Sequence, residues 1–448
     1  MKNVLFVAFI SLLLACSAEK PIVQGAGEAD DVYAFVNVNV VPMDKEHVIE
    51  GQTVIVADGR ITEIGAHASV EIPKGAVEID GAGKYLMPGL AEMHGHIPPP
   101  NQSAEYISSV LFMYVANGIT TVRGMLGHDG QLDIKARANA NEIISPTLYL
   151  AGPSFSGGSI SSPDQAIEKV RRQKEEGWDL LKVHPGLSLE EFDAMAHTAN
   201  ELGIRFGGHV PNTVGLAHAI AMGQETFDHI DGYTIFVDGT SKPASDASIA
   251  EAVKLTVDSG AWVIPTMVLW EHLYAITPME SVSTLPELKY MPKNIVDSWL
   301  SSHRRRLADP GLDKVAAAHR IDNRNNILAA LNDAGARILM GTDAPQQFSV
   351  PGFSIHVELE RMADVGMTPY EIFKTGSANV GEYFKEQDTF GLVATGHRAD
   401  LVLLNENPLD NVANLKKRSG VMTRGQWLSE EDIQKELTNI AARVKEKG

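Results

Sequence analysis

With 448 residues, 44% hydrophobic and 21% charged, the chain has the makeup of a folded globular protein of two or three domains, or of one large barrel with a satellite. A fibre, a small stapled toxin and a disordered tail are excluded. Its 38 basic against 57 acidic residues give a net charge of −19, a surface that repels phosphate backbones and argues against nucleic acid as a partner. The basic run Arg304-Arg305-Arg306 reads as a solvated helix face.

The chain opens with Lys2 and an apolar or small stretch over residues 4–15, too short to cross a membrane as a helix but right for the hydrophobic region of a secretory signal. The stretch ends Leu13-Leu14-Ala15-Cys16, and Cys16 is the single cysteine, so no internal disulfide is available. This start resembles a bacterial lipoprotein precursor. The resemblance implies cleavage before Cys16, lipidation of Cys16 as the new N-terminus and, with Ser17 following, a place on the outer membrane of a Gram-negative cell, facing the periplasm. Membrane contact is then through that lipid alone. Residues 1–16 are the signal peptide with its cysteine, and 17–30 read as a tether.

From Val32 short alternating runs around 32–36, 53–56 and 61–65, with turns at Asp58-Gly59 and Pro73-Lys74-Gly75, predict hairpin strands. After Met87-Pro88-Gly89 the pattern changes to buried β-rich runs, each followed by a helical stretch: 89–94, 120–122, 148–150, 180–183, 206–209, 227–229, 262–265 and 338–343. Eight such units predict an α/β protein, a (β/α)8 TIM barrel over residues 88–385. The long gap before the eighth strand predicts an insertion at about 270–325, whose helical stretches could cover the barrel mouth. β character returns at 391–393, 399–404 and 421–425, so 31–87 and 386–435 are expected to build one small β-sandwich domain from both chain ends.

Barrels of this class gather their chemistry at the C-terminal ends of the strands. There the sequence places His94 and His96 on strand one, Lys182 on strand four, His209 on strand five, His229 on strand six and Asp343 on strand eight, all of metal-ligand type. Two histidines two residues apart on a strand point the same way and can reach one metal. Lys182 lies inside the apolar run Leu180-Leu181-Lys182-Val183, against the bland alternative of an exposed lysine pairing with Asp179; His184 is a weaker rival ligand.

With Met87-Pro88-Gly89-Leu90-Ala91-Glu92-Met93-His94-Gly95-His96, Gly341-Thr342-Asp343 and the closing Ala399-Asp400-Leu401-Val402, the chain resembles the amidohydrolase superfamily over nearly its whole mature length. The resemblance implies two divalent metal ions, zinc by preference, with His94, His96 and Asp343 at the more buried one, His209 and His229 at the more exposed one, and Lys182 bridging both. An ammonium cannot lie between two cations, so Lys182 is expected to be carbamylated, which makes it an anion with two oxygens. The implied reaction is attack of a metal-bridging hydroxide on an amide carbonyl, with Asp343 moving the proton to the leaving group.

The expected substrate is a small peptide-like or N-acyl amino acid amide, with a prolidase-like dipeptide as the single best guess. The alternatives are a cyclic amide as in imidazolonepropionase, a deaminase substrate, a lactone or organophosphate ester, or binding without catalysis; Lys182 counts against the deaminases. Tyr233 resembles a substrate-contacting tyrosine of prolidase-like relatives and is placed in the catalytic set. Arg123 is read as a fork for a substrate carboxylate or a partner of Asp129, and His128 as a pocket residue. Ser159 is a candidate contact in Ser156-Gly157-Gly158-Ser159, where relatives often carry a histidine. A homo-oligomer is left open.

Overall fold

The computed structural model describes residues 32–447; the expected signal peptide, Cys16 and the tether lie outside the described residues. Five strands open the chain, β1 (Tyr33–Val40), β2 (Ile49–Ala57), β3 (Arg60–Ala66), β4 (Val77–Asp80) and β5 (Tyr85–Pro88). The predicted Asp58-Gly59 turn joins β2 to β3 with φ of 51° and 69°, the pair of positive angles that matches the twist of a tight hairpin.

Eight parallel strands follow: β6 (Leu90–Gly95), β7 (Ile119–Gly124), β8 (Thr147–Leu150), β9 (Leu180–Val183), β10 (Arg205–Gly208), β11 (Thr226–Asp228), β12 (Trp262–Ile264) and β13 (Arg337–Ile338). They pair in chain order as a three-stranded and a five-stranded sheet. At one seam Ala151 and Phe155, just past β8, bridge to Leu180 and Val183 of β9. At the other, residues 339–344 run along β6: Met93 N donates to Met340 O, Asp343 N to His94 O and His96 N to Ala344 O, each at 2.8 Å. The ring of eight therefore closes. Glycine allows close approach at one seam and inside the five-stranded sheet, since a Cβ on Gly341 would stand 3.0 Å from His94 N and one on Gly208 2.4 Å from Val183 O.

Helices on the outside start and stop where local chemistry dictates. Ser188 with Glu191 and Thr368 with Glu371 form reciprocal capping boxes at the starts of Leu189–Leu202 and Pro369–Gly376. The expected insertion is helical, with Met267–Leu273, Met279–Ser283, Lys293–Leu307 and Lys314–Asp333 between β12 and β13.

The chain ends with β14 (Leu401–Leu404), β15 (Arg418–Thr423), β16 (Gln426–Ser429) and the helix Glu430–Lys447. These strands join the opening ones in one continuous mixed sheet, in the order β16, β15, β14, β5, β1, β2, β3 with β4 also on β1. The two chain ends thus combine as a single sheet around Phe35, Val54, Leu86, Leu401 and Met422. Residues 391–393 form no strand: Gly391 turns with φ 87°, and Val393 only adds its side chain to that core.

Candidate active site

Five of the six expected ligands line one cavity of about 490 Å³ at the C-terminal ends of the barrel strands: His94, His96, His209, His229 and Asp343. Lys182, the sixth, is fully buried beside them, with Nζ 3.2 Å from His94 Nε2 and 3.5 Å from Asp228 Oδ2. Asp179 is occupied by Lys135, so the surface pairing considered for Lys182 does not form. Ring centres of His94 and His229 lie 4.3 Å apart, and those of His209 and His229 4.4 Å. Asp343 joins both sides of the cluster: Oδ1 is 2.5 Å from His96 Nε2, and Oδ2 is 3.7 Å from His229 Nε2. The ligand atoms of His94, His96 and Asp343 all fall within 4.8 Å of one another.

What the imidazoles do with their other nitrogen decides their chemistry. His94 Nδ1 stands 2.7 Å from Asp228 Oδ2, His209 Nδ1 2.6 Å from Asp231 Oδ2, and His229 Nδ1 2.8 Å from Thr266 Oγ1. A carboxylate only accepts, so His209 carries its proton on Nδ1 and turns the lone pair of Nε2 inward, whereas His94 Nδ1 and Asp228 Oδ2 are in contact without a hydrogen-bond partner among the described residues. His229 Nε2 is buried and, among the described residues, has no hydrogen-bond partner. Burial, with the charges of neighbouring Lys182 and the other histidines, holds His94 and His229 well below the usual histidine range, so both are neutral, the ligating form. Burial likewise lowers Lys182, with Asp228 and Asp343 opposing, which favours the free amine.

The backbone here is held in unusual conformations. His229, Thr266 and Asp343 have φ of 70°, 46° and 63°, the left-handed region that non-glycine and above all β-branched residues avoid. Glu92 helps to hold Asp343 in place: its carboxylate accepts from Thr342 N at 2.8 Å, Thr342 Oγ1 at 2.5 Å and His94 N at 3.1 Å. Burial pushes its pKa up to about 8 against these hydrogen bonds.

Three expected substrate residues lie elsewhere. Tyr233 is fully buried in the helix Asp231–Phe236, and its hydroxyl bonds Thr256 Oγ1 at 2.8 Å, away from the cavity. Arg123 is buried below the cluster and spends its donors on Met93 O, Thr226 Oγ1, Tyr383 Oη and Asp228 rather than on Asp129 or a substrate. Ser159 closes a turn with Ser154 and Ser156 and accepts from Lys169 Nζ. His128 does line the cavity, with His184, Tyr106 and the prolines Pro98 and Pro99.

Sequence reasoning missed Asp228, Asp231, Thr266 and Glu92, which contact the candidate ligands, and Trp270, which walls the cavity. Asp228 and Asp231 flank His229 within four residues, and Glu92 sits one strand repeat before His94, so three had a local signal; Thr266 had none.

The amidohydrolase family model matches residues 85–428. The chain belongs to that family. Its curated relatives include adenine deaminase 3 of Rhizobium meliloti (strain 1021), 20% identical over 80% of this chain and 52% of that protein, and the imidazolonepropionase of Cupriavidus necator, 28% identical over 50% of this chain and 49% of that one. The chain thus spans about half the length of each. Ochratoxinase of Aspergillus niger is 21% identical over 83% of this chain and 81% of its own. Solved structures of the same fold include a Xaa-Pro dipeptidase with bound methionine in its active site (TM-score 0.68, 17% identity, 89% of this chain and all of that one). Bottromycin amidohydrolase is a second (0.74, 23%, 93% and 92%). Both agree with the closed barrel of β6–β13.

Proposed function

We propose that the chain is a metal-dependent hydrolase of amide bonds in peptide-like or N-acyl amino acid substrates, with a prolidase-like dipeptidase as the sharpest form. The observation that carries this reading is the convergence of His94, His96, His209, His229 and Asp343 on one cavity, with His209 oriented by a carboxylate behind it and His229 Nε2 left without a partner among the described residues. Such a donor set suits a pair of zinc-like cations. His94, His96 and Asp343 would hold one cation, His209 and His229 the other, and a carbamylated Lys182 both. When bound, the metals supply Lewis acidity toward a carbonyl oxygen and bring the pKa of a coordinated water to about 7.

The chain's own residues do the rest. Among the described residues Asp343 is the one carboxylate lining the cavity, and its two oxygens face different histidines, which suits it to take a proton from water and return it to the leaving amine. Neutral His184, pushed far below its ordinary value chiefly by burial, stacks on His209 with ring centres 5.0 Å apart and lines the wall without competing for protons. Leu269, Trp270, Leu273 and Ile295 of the insertion form an apolar side that excludes water from an acyl or side-chain group. The prolidase-like reading is supported by the dipeptidase among the structural neighbours. The imidazolonepropionase relatives keep cyclic amides on the substrate panel. The start of the chain supports an exported protein tethered by a lipid on Cys16.

The test is metal content and turnover of the protein lacking residues 1–16, expressed with zinc and bicarbonate. About two metals per chain, amine release from Xaa-Pro or N-acyl amino acids, and loss of both on chelation with recovery on re-addition are expected. One metal per chain, or turnover confined to deamination, sinks the proposal.

A further inference from the structure

Arg324, in the helix Lys314–Asp333 of the insertion, is fully buried. Only its Nη2 donates, to Tyr274 Oη at 3.2 Å; among the described residues Nε and Nη1 have no hydrogen-bond partner. The guanidinium lies 4.2 Å from the ring centre of Trp270. Trp270 lines the catalytic cavity with its ring centre 5.9 Å from that of His229, and its own buried Nε1 also lacks a partner. Three unused donors, one of them on the cavity wall and two on a fixed cation directly behind it, are an unusual arrangement, because buried polar groups are almost always satisfied and buried charges are paired. Asp231 is the acid whose charge acts on Arg324, and its oxygens accept from His209 and the backbone of Gly232. Among the described residues no lysine or arginine lines the cavity itself, so no other side-chain cation stands there for a substrate carboxylate.

We infer that Arg324 and Trp270 form the carboxylate subsite of this cavity, taking the free carboxylate of the amino acid half of the substrate when the Trp270 side chain turns aside. This rests on the hydrolase reading above and narrows it to substrates that keep an α-carboxylate. Arginine suits the task because its planar fork meets a carboxylate with two parallel hydrogen bonds. Cation–π stacking on Trp270 and Tyr274 keeps the guanidinium in position while the anion is away.

The test compares N-acetyl amino acids with their C-terminal amides. In Arg324→Met the preference for acid over amide, measured as the ratio of kcat/KM values, is expected to fall roughly 10- to 100-fold, the worth of a hydrogen bond to a charged group, through KM of the acid. Arg324→Lys recovers part of it, and metal content stays at the wild-type level. Equal losses for acid and amide, or loss of metal through Asp231 and His209, overturn the subsite and make Arg324 a positioning residue. If Arg324→Met does not fold, Trp270→Phe, which keeps the ring and removes the donor, is expected to lower the same ratio several-fold, and an unchanged ratio overturns the subsite. If the wild-type protein hydrolyses neither compound, the N-acyl amino acid form of the hydrolase reading falls by itself. Calorimetric binding of the N-acetyl amino acid against its amide, to wild type and Arg324→Met, then decides the subsite: tighter binding of the acid that the variant loses supports it, and equal binding rejects it.

Discussion

Arg123 and Arg324 are both fully buried arginines near the same histidine cluster, and they could hardly differ more in what surrounds them. Arg123 sits below the cluster with its donors on Met93 O, Thr226, Tyr383 and Asp228, a closed set that ties β6, β7 and β11 together. Arg324 sits in the insertion with two nitrogens idle, behind a tryptophan that faces the cavity. The candidate ligands divide in part the same way, since Nδ1 of His209 and of His229 is held by Asp231 and Thr266 while His229 Nε2 has no partner among the described residues. Burial and charge do not separate structural from functional groups in this protein; whether the donors and acceptors are used up does.

The largest effect that sharpens this contrast is expected on the open side. Asp343→Asn keeps the shape but cannot accept a proton, and turnover should fall about 10²- to 10⁴-fold with little change in the melting curve. Retained turnover would remove Asp343 from the proton path. On the closed side, Arg123→Met breaks a buried pair with Asp228 and should cost roughly 3–5 kcal/mol in urea unfolding, whereas Arg324→Met, which has no ion pair to break, should cost about 1 kcal/mol. Equal costs would abolish the distinction.

A third probe is pH. Glu358 caps the start of Met267–Leu273, the helix bearing Trp270, accepting from Met267 N at 2.8 Å and Val268 N at 3.1 Å, and burial pushes its pKa from 4.5 up to about 7. The folded state therefore binds this proton more tightly than the unfolded one. Its contribution is complete below about 4.5 and is lost as pH rises through about 7, by about 3 kcal/mol at most. Glu358→Gln should flatten that part of the thermal stability profile between pH 5 and 8, and parallel profiles would show that Glu358 stays ionised when folded. The smallest effect belongs to Tyr233→Phe: loss of the bond to Thr256 should cost about 1 kcal/mol, while kcat/KM holds, because the hydroxyl faces a helix and not the cavity. A drop in kcat/KM without loss of stability would return Tyr233 to the site.

Much of the centre was legible because it follows from strand order. Residues of ligand type at the ends of β6, β9, β10 and β11 and just past β13 meet at one rim once the barrel closes, so the meeting of His94, His96, His209, His229 and Asp343 at one cavity, with Lys182 beside it, could be read in advance. Tyr233 and Arg123 went wrong for a physical reason. Each follows or ends a strand, but the helix Asp231–Phe236 turns Tyr233 onto Thr256, and Arg123 points between β6 and β11.

The chain by itself determined the alternation of strands and helices, the barrel it closes and the ligand types at its rim, because those depend on local periodicity and on residues fixed to strand ends. Tertiary structure alone decided which nitrogen of each histidine is free, which arginine is satisfied and which wall the insertion builds, because Thr266, Asp231, Trp270 and Arg324 act across distances in the chain that no local pattern records.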